Sequence, residues 1–266
     1  MIELDAVEEQ TWRPLAQQLR GVFTDVDDTL TAHGKIVPEA YAALARARAS
    51  GLHVVLVTGR PAGWAEVMAS LFPVDAAIAE NGAIAALPGG ARIYFDDAQS
   101  RKVGELRRER ALAHMRAELP SIELASDARL REIDLAFDIA EHQSVPEPMI
   151  ARATEVLRAA DLRTTRSSIH LHGTYSTADK AKMCARVAQS LWGEPEDELR
   201  EHYLFVGDSP NDAPAFAFFR HTVGVANVRS HEAALANLSA LPWAVTKQAT
   251  GLGFAELITR LLNARL

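Results

Sequence analysis

The chain has 266 residues, of which 48% are hydrophobic and 24% are charged, a composition typical of a globular protein with a sizeable core. The net charge of −7 argues against nucleic acid and anionic membranes as partners, and the acidic first residues lack the pattern of a signal peptide. No apolar run reaches the roughly 18 residues of a membrane span. A single cysteine excludes an intrachain disulfide, so we expect a cytoplasmic protein.

Strand-like and helix-like segments alternate over the first 86 residues. The strands are apolar runs predicted at 22–24, 52–57 and 76–79, and the helices between them are predicted at 38–50 and 62–71. Continuous apolar runs are expected for strands that are covered on both faces. This βαβαβ order predicts a parallel sheet with helices on both of its faces.

The pattern changes between residues 87 and 175. Here the sequence predicts a charged helix at 100–119, an alternating strand at 131–140, a helix at 146–160 and an alternating strand at 166–172. Alternation is typical of a sheet with one solvent-facing side. We therefore predict a smaller α/β domain over residues 87–175.

The first pattern returns after residue 175. Helices are predicted at 178–192, 213–219 and 253–262, and strands at 203–206 and 222–225. Residues 1–86 and 176–266 are therefore assigned to one α/β domain, into which the smaller domain is inserted.

Polar side chains follow the predicted strands of the larger domain, at the point where each strand ends. Open α/β sheets bind ligands beyond the carboxyl ends of their strands. Carboxylates brought together at such an edge repel one another, and a hard divalent cation such as Mg²⁺ removes this conflict. The residues concerned are Asp25 and Asp27, Thr58, Asn81, and Asp208 with Asp212.

The spacing of Asp25 and Asp27 favours two different chemical tasks. Just past a strand end, one carboxylate can attack a phosphoryl group while the other transfers a proton. The hydroxyl of Thr58 can bind a phosphoryl oxygen, and a lysine can neutralise its charge. The sequence contains neither GxxxxGK[ST] nor GxGxxG, so it supports neither a P-loop nor a dinucleotide-binding fold.

Four motifs resemble, in order, those of the haloacid dehalogenase superfamily of phosphatases. They are DVDDT at 25–29, VTGR at 57–60, DK at 179–180 and GDSPND at 207–212. The long interval between the second and third motifs resembles the Cof-like branch, subfamily IIB, which carries an α/β cap there. The resemblance implies a Rossmann-like parallel-sheet core with an inserted α/β cap domain. The chain departs from the pattern at Asp28, where many relatives have glycine.

The resemblance implies a role for each matched residue. Asp25 is the expected nucleophile and Asp27 the expected general acid/base. Thr58 and Lys180 are expected to bind the phosphoryl group. The expected Mg²⁺ ligands are Asp25, Asp27 through its carbonyl, and Asp208, with Asp212 supporting the metal through a water or holding Lys180.

Substrate contacts are expected from two regions. Those near the motifs are Gly59, Arg60, Asn81 and Asn211, and those on the presumed inner face of the cap are Arg166, Ser168, His170 and His172. The two alternating histidines are interpreted as part of a solvent-facing sheet surface and not as a metal site.

These assignments predict a Mg²⁺-dependent phosphatase that hydrolyses a small phosphorylated metabolite through an aspartyl-phosphate. A sugar phosphate or a phosphorylated glycosyl acid is the expected substrate class. Three alternatives stay open: a phosphohexomutase of the same superfamily, a phospho-accepting signalling domain, and a binding protein that has lost activity. The second carboxylate at Asp27 argues against a stored phosphoryl signal. The sequence leaves monomer and homodimer equally open.

Overall fold

A computed structural model of the chain describes residues 1–166 and 169–266. The strands are β1 (Ile2–Glu3), β2 (Gly21–Asp25), β3 (Thr31–Ala32), β4 (Lys35–Ile36), β5 (His53–Val57), β6 (Ala76–Ala79), β7 (Ile84–Ala86), β8 (Arg92–Tyr94), β9 (Asp134–Asp138), β10 (Arg163–Arg166), β11 (His170–Thr174), β12 (Tyr203–Gly207), β13 (His221–Gly224) and β14 (Ala244–Val245). The helices are α1 (Glu9–Gln18), α2 (Pro38–Ala49), α3 (Ala62–Leu71), α4 (Ala98–Glu118), α5 (Glu147–Ala159), α6 (Lys180–Trp192), α7 (Glu196–His202), α8 (Ala213–Phe218), α9 (Glu232–Asn237) and α10 (Thr250–Arg265).

The central sheet confirms the predicted α/β class. Within the described residues it has nine strands, in the order β1-β14-β13-β12-β2-β5-β6-β7-β8. In that spatial order, the first seven strands, from β1 at one edge to β6, are parallel to one another. The last two pairs of the sheet, β6–β7 and β7–β8, are antiparallel. None of the helices in the described part of the chain is long and apolar enough to cross a membrane.

Apolar side chains on both faces of the sheet explain why its strands are buried. In β2, Val22 packs with α1, α2, α3 and α10 on one face, whereas Phe23 packs with α6, α7 and α8 on the other. In β5, Val54 and Val55 divide between the same two faces. Two layers of helices thus cover the sheet, as the continuous apolar runs predict.

Helix α6 begins and ends at residues that favour these positions. Asp179 caps its first turn, where the carboxylate accepts a hydrogen bond from the backbone N–H of Lys182 at 2.9 Å. The helix ends at Gly193, which is left-handed with φ +67°. The cap places Lys180 at the first residue of the helix.

The chain segment between β8 and α6 forms a second, smaller sheet with its own helices. Strands β10, β11 and β9 form an antiparallel sheet in that order, and α4 and α5 cover one face of it around a separate apolar core. The prediction of a single strand at 166–172 is wrong. Arg166 ends β10, and His170 begins β11, which runs in the opposite direction.

The boundary predicted after residue 86 falls inside a hairpin of the central sheet. Strand β8 pairs with β7, and a turn that contains Gly89 and Gly90 connects them. Both glycines have a positive φ, which favours such a turn. We therefore propose residues 95–175 as the inserted unit. Within the described residues, the sequence pattern also failed to predict three helices and six strands: α1, α7, α9, β1, β3, β4, β7, β8 and β14.

Candidate active site

The ends of four neighbouring strands bring the predicted site residues to one edge of the central sheet. Strands β12, β2, β5 and β6 lie side by side and run in the same direction. Asp25 is the last residue of β2, and Thr58 and Asp208 directly follow β5 and β12. Asn81 lies in the turn after β6. This edge is where open parallel sheets bind ligands.

A buried group of charges lies at this edge, and we call it the sheet-edge cluster. Its members are Asp25, Lys180, Asp208 and Asp212, each no more than 5% exposed. The Nζ of Lys180 donates hydrogen bonds to Oδ1 of Asp25 at 2.6 Å and to Oδ1 of Asp212 at 2.7 Å. The lysine therefore connects the predicted nucleophile to the acidic motif after β12.

Close main-chain packing positions Lys180. Gly82 has φ +104°, and a Cβ there would lie 2.2 Å from the carbonyl oxygen of Asp179, the residue before the lysine. Only glycine allows the turn after β6 to approach the start of α6 so closely.

Asp212 is anchored by the loop that carries it. Its Oδ2 accepts hydrogen bonds from the backbone N–H groups of Asp208 at 2.9 Å and Ser209 at 3.2 Å. A Cβ at Gly207 would lie 2.4 Å from the same oxygen, so glycine provides the space for this carboxylate. Since its Oδ1 already accepts from Lys180, Asp212 is engaged through both oxygens.

Asp208 is held by two residues for which the sequence predicted no role. The hydroxyl of Thr29 donates to its Oδ1 at 3.2 Å, and the amide of Asn227 donates to its Oδ2 at 2.9 Å. Asn227 also donates to the carbonyl of Asp28 at 3.0 Å. Thr29 lies inside the first motif, and Asn227 lies just past β13, so the strand-end rule could have identified both.

The sheet-edge cluster carries more negative charge than its lysine neutralises. Burial raises the pKa of Asp25 well above its ordinary value, Lys180 opposes this rise, and Asp212 and Asp208 add to it. Burial and the charge of Asp212 raise the pKa of Asp208 to about 7. Burial alone lowers the pKa of Lys180, but the neighbouring carboxylates outweigh burial and raise it.

The arrangement fits a hard divalent cation. Asp25, Asp208 and Asp212 each offer a carboxylate oxygen, and these oxygens lie within 4.8 Å of one another. A set of oxygen ligands without sulfur or imidazole suits Mg²⁺. The raised pKa values are those of a carboxylate group that lacks compensating charge. Asp212 is the least available of the three, because among the described residues its carboxylate accepts three hydrogen bonds, whereas that of Asp208 accepts two and that of Asp25 one.

Asp27 lies beside the cluster and is held by Arg60. The Nε of Arg60 donates to Oδ1 of Asp27 at 3.0 Å, and its Nη2 donates to the same oxygen at 2.8 Å. The hydroxyl of Thr58 donates to Oδ2 of Asp27 at 3.3 Å. The ring of Trp64 lies 4.9 Å from the guanidinium of Arg60. Arg60, predicted to contact substrate, thus contacts the predicted general acid/base.

Asp28 occupies a left-handed conformation. Its φ is +53°, a region that favours glycine, which is the residue that many haloacid dehalogenase phosphatases have at this position of the first motif. Aspartate adopts this conformation more readily than most residues. The departure from glycine at Asp28 is therefore compatible with the local backbone.

Gly59, Asn81 and Asn211 surround the same edge. A Cβ at Gly59 would lie 3.0 Å from Oδ1 of Asn81, and this buried oxygen has no hydrogen-bond partner within the described residues. Asn211 is exposed in the short turn beside Asp212. All three remain predicted substrate contacts.

The candidates in the small sheet divide between its two faces. Arg166 lies opposite Leu171, which faces the helices, and pairs with Glu147 of α5 at 2.7 Å. His170 and His172 lie on the other face. The structure therefore does not bring Arg166 to that face, and Ser168 lies outside the described residues.

The prediction that the two histidines are solvent-facing is wrong. His170 is 6% exposed and His172 is 8% exposed. Nε2 of His170 lies 2.9 Å from a carboxylate oxygen of Glu141, and Nδ1 of His172 lies 2.9 Å from one of Asp134. Acidic partners explain how the imidazoles are buried.

A second buried group of charges lies in the inserted unit, and we call it the insert cluster. Its members are Asp127, Arg131, Asp134 and His172. Arg131 donates to both aspartates at 3.0 to 3.2 Å. Despite burial, the charge of Arg131 holds the pKa of Asp134 well below its ordinary value, and His172 contributes to this.

Residues 22–112 match the family model of haloacid dehalogenase-like hydrolases. A search of curated proteins finds no match. Many solved structures are similar in fold. A putative HAD/COF-like hydrolase from Plasmodium vivax has a TM-score of 0.69 at 15% identity, over 96% of this chain and 99% of that chain. A protein numbered 0175 from Thermoplasma acidophilum has a TM-score of 0.68 at 20% identity, over 92% and 98%.

A further structure of similar fold is that of a haloalkanoate-superfamily (HAD) phosphatase from Bacteroides thetaiotaomicron. Its TM-score is 0.60 at 19% identity, over 92% of this chain and 95% of that chain. At these identities the structural likeness shows the fold, and the family-model match covers the segment with the first two motifs. Residues 22–112 are thus similar in sequence to the haloacid dehalogenase-like hydrolases, and the chain shares the fold of solved HAD/COF-like hydrolases.

Proposed function

We propose that the protein is a Mg²⁺-dependent phosphatase that hydrolyses a small phosphorylated metabolite through an aspartyl-phosphate on Asp25. The observation that carries the proposal is the sheet-edge cluster, in which Lys180 joins Asp25 to Asp212 in a buried, undercompensated group of charges. A sugar phosphate or a phosphorylated glycosyl acid is the substrate class we propose. The single cysteine supports a cytoplasmic location.

Asp25 is the nucleophile in this proposal. Its carboxylate oxygen forms a bond to phosphorus while the bond from phosphorus to the ester oxygen breaks. Asp27 donates a proton to the departing oxygen, so that an alcohol leaves. Asp27 then accepts a proton from water, whose oxygen attacks phosphorus and releases Asp25 and inorganic phosphate.

The other residues bind charge and hold geometry. Lys180 and the hydroxyl of Thr58 bind the phosphoryl oxygens, and Asp212 keeps the lysine in place. Asp25, the carbonyl of Asp27 and Asp208 would hold Mg²⁺. When bound, the cation neutralises negative charge on the cluster and on the phosphoryl group.

The phosphohexomutase is the closest rival, since it uses the same phosphoryl-transfer steps but returns the phosphoryl group to a sugar hydroxyl. A signalling domain would retain the phosphoryl group on Asp25. Asp27 supplies a second carboxylate next to Asp25, held in place by Thr58 and Arg60, and a second carboxylate that can transfer a proton supports rapid turnover. We therefore prefer hydrolysis.

The experiment is a phosphate-release assay over hexose 1- and 6-phosphates, phosphoglycerate derivatives and nucleotides, with Mg²⁺ and with EDTA. Metal-dependent release from a narrow group of these compounds is the expected result. Hexose 1-phosphate is also incubated with a trace of hexose bisphosphate, and its products are separated. If the hexose phosphate is isomerised faster than phosphate is released, the protein is a phosphohexomutase and not a phosphatase. A phospho-Asp25 that is stable for minutes would favour a signalling domain.

A further inference from the structure

Arg131, in the inserted unit, makes a contact outside that unit. Its side chain is 2% exposed, and its Nε and Nη2 donate to Asp127. Its Nη1 donates to Asp134 and also to the carbonyl oxygen of Gly59, at 3.2 Å. Gly59 follows the predicted phosphoryl-binding Thr58, so a buried cation of the insert reaches the main chain of the candidate active site.

This contact reaches Asp27 through Arg60. The carbonyl of Gly59 and the N–H of Arg60 belong to one peptide unit, and that N–H donates to Oγ1 of Thr58 at 3.0 Å. The side chain of the same Arg60 donates to Oδ1 of Asp27, from Nε at 3.0 Å and from Nη2 at 2.8 Å. Because the peptide is held at both its oxygen and its N–H, the main-chain position from which Arg60 reaches Asp27 is fixed.

The segment that carries Arg131 is seated on the core by Glu80. The Glu80 carboxylate accepts hydrogen bonds from three successive backbone N–H groups, those of residues 132–134, each at 2.8 Å. It also accepts one from the N–H of Ala62, at 3.1 Å. Leu130 packs over Gly63, where a Cβ would lie 3.1 Å from the leucine. The distance from Arg131 to Gly59 is therefore fixed from both sides.

We propose that Arg131 is a positioning residue, which acts from the inserted unit through the Gly59–Arg60 peptide and the Arg60 side chain to orient the proton-transferring carboxylate of Asp27. The inference rests on the proposed phosphatase function and adds a residue to it. It makes efficient protonation of the leaving group depend on the seating of the insert on the core. Arg131 itself need not touch the substrate.

The test uses two substrates that differ in their need for a proton. 4-Nitrophenyl phosphate releases a stabilised phenolate, whereas glucose 6-phosphate, or the fastest alkyl phosphate of the panel, releases an alkoxide that needs protonation. Arg131→Lys keeps a positive charge beside Asp134 but cannot reach all the partners of the guanidinium. We expect kcat/KM, which reports the steps up to formation of the aspartyl-phosphate, to fall about tenfold for the alkyl phosphate and less than about twofold for the aryl phosphate.

Asp127→Asn is the matched control. It loosens the same arginine at Nε and Nη2 but leaves the contact between Nη1 and Gly59. We expect it to lower the Tm and to change the two kcat/KM values by the same factor. A second arm places Arg131→Lys in an Arg60→Ala background, where Asp27 has already lost the arginine that holds it, and the lysine is expected to cause no further selective loss.

An equal loss of kcat/KM for both substrates in Arg131→Lys, or an undiminished selective loss in the Arg60→Ala background, overturns the positioning role. If Arg131→Lys does not fold, Glu80→Gln loosens the seat of residues 132–134 and must slow the alkyl phosphate more than the aryl phosphate; an unselective effect overturns the proposal. A wild-type protein that releases no phosphate from any substrate would contradict the proposed function itself, whereas an active wild type with unselective variants contradicts only this inference.

Discussion

The sheet-edge cluster and the insert cluster both combine aspartates with basic side chains, yet their charges balance differently. In the sheet-edge cluster, one lysine faces three buried aspartates, and the pKa of Asp208 is raised to about 7. In the insert cluster, the charge of Arg131 and the bond to His172 outweigh burial and lower the pKa of Asp134. Burial alone therefore does not decide the direction of the shift.

The difference separates a reactive site from a structural one. A cluster whose buried carboxylates pair with basic side chains needs little from solution, and its charges position the residues around it. A cluster with excess negative charge is destabilising unless a cation joins it, so its presence indicates a function that requires the excess. The predictions below test this division, from the largest expected effect to the smallest.

The largest effect is expected for Asp25→Asn. The amide cannot form the aspartyl-phosphate, so kcat for phosphate release should fall by about 10⁴-fold or more. Because the change removes one negative charge from an overcharged cluster, the free energy of unfolding in EDTA should stay the same or rise. Initial rates and urea denaturation of the same preparation measure both quantities. Hydrolysis near the wild-type rate would move the nucleophile to another residue.

The insert cluster should respond in the opposite way to Asp134→Asn. This change leaves the buried guanidinium of Arg131 with Asp127 as its remaining carboxylate partner in the cluster, and the free energy of unfolding should fall by about 3 kcal/mol. The loss of kcat should be far smaller than that of Asp25→Asn. Urea denaturation at neutral pH measures the stability, and a variant as stable as the wild type would contradict the structural role.

The fold and most of the site could be predicted from local sequence. The apolar runs at 22–24 and 52–57 predict buried parallel strands, and the polar residues after them must then lie at one edge. Asn227 follows the same rule but was missed, because its strand carries no recognised motif. Patterns of this kind work because strand direction and strand order are enough to bring the residues together.

The errors arose where contacts depend on register or on distant segments. The alternation of residues 166–172 predicts one strand, but these residues contribute to two antiparallel strands, β10 and β11. Arg166 pairs with Leu171, and both side chains therefore lie on the face that the helices cover. The pairing of Glu80 with residues 132–134 joins segments far apart in the sequence. No spacing rule predicts such a contact, since it depends on how the insert packs on the core.

Glu80 lies between the two clusters and gives an effect no larger than that of Asp134→Asn. Burial and the charge of Asp134 raise its pKa to about 7, although the three backbone N–H groups oppose the rise. A carboxyl whose pKa is raised on folding contributes stability below its unfolded pKa, and this contribution is lost as the pH rises through the folded pKa. The difference in unfolding free energy between the wild type and Glu80→Gln should therefore fall by up to about 3 kcal/mol between pH 4.5 and pH 8.

Urea denaturation of both proteins at several pH values, with EDTA throughout, measures this difference, because groups common to both proteins cancel. Glu132→Gln serves as the control, since it removes a carboxylate from the same segment without touching the seat formed by Glu80. If this difference in unfolding free energy does not change from pH 5 to pH 8, the backbone N–H groups stabilise the charged carboxylate of Glu80 as well as water does in the unfolded chain. Glu80 would then belong with the self-compensated charges of the insert cluster, and the excess of negative charge would be confined to the sheet edge.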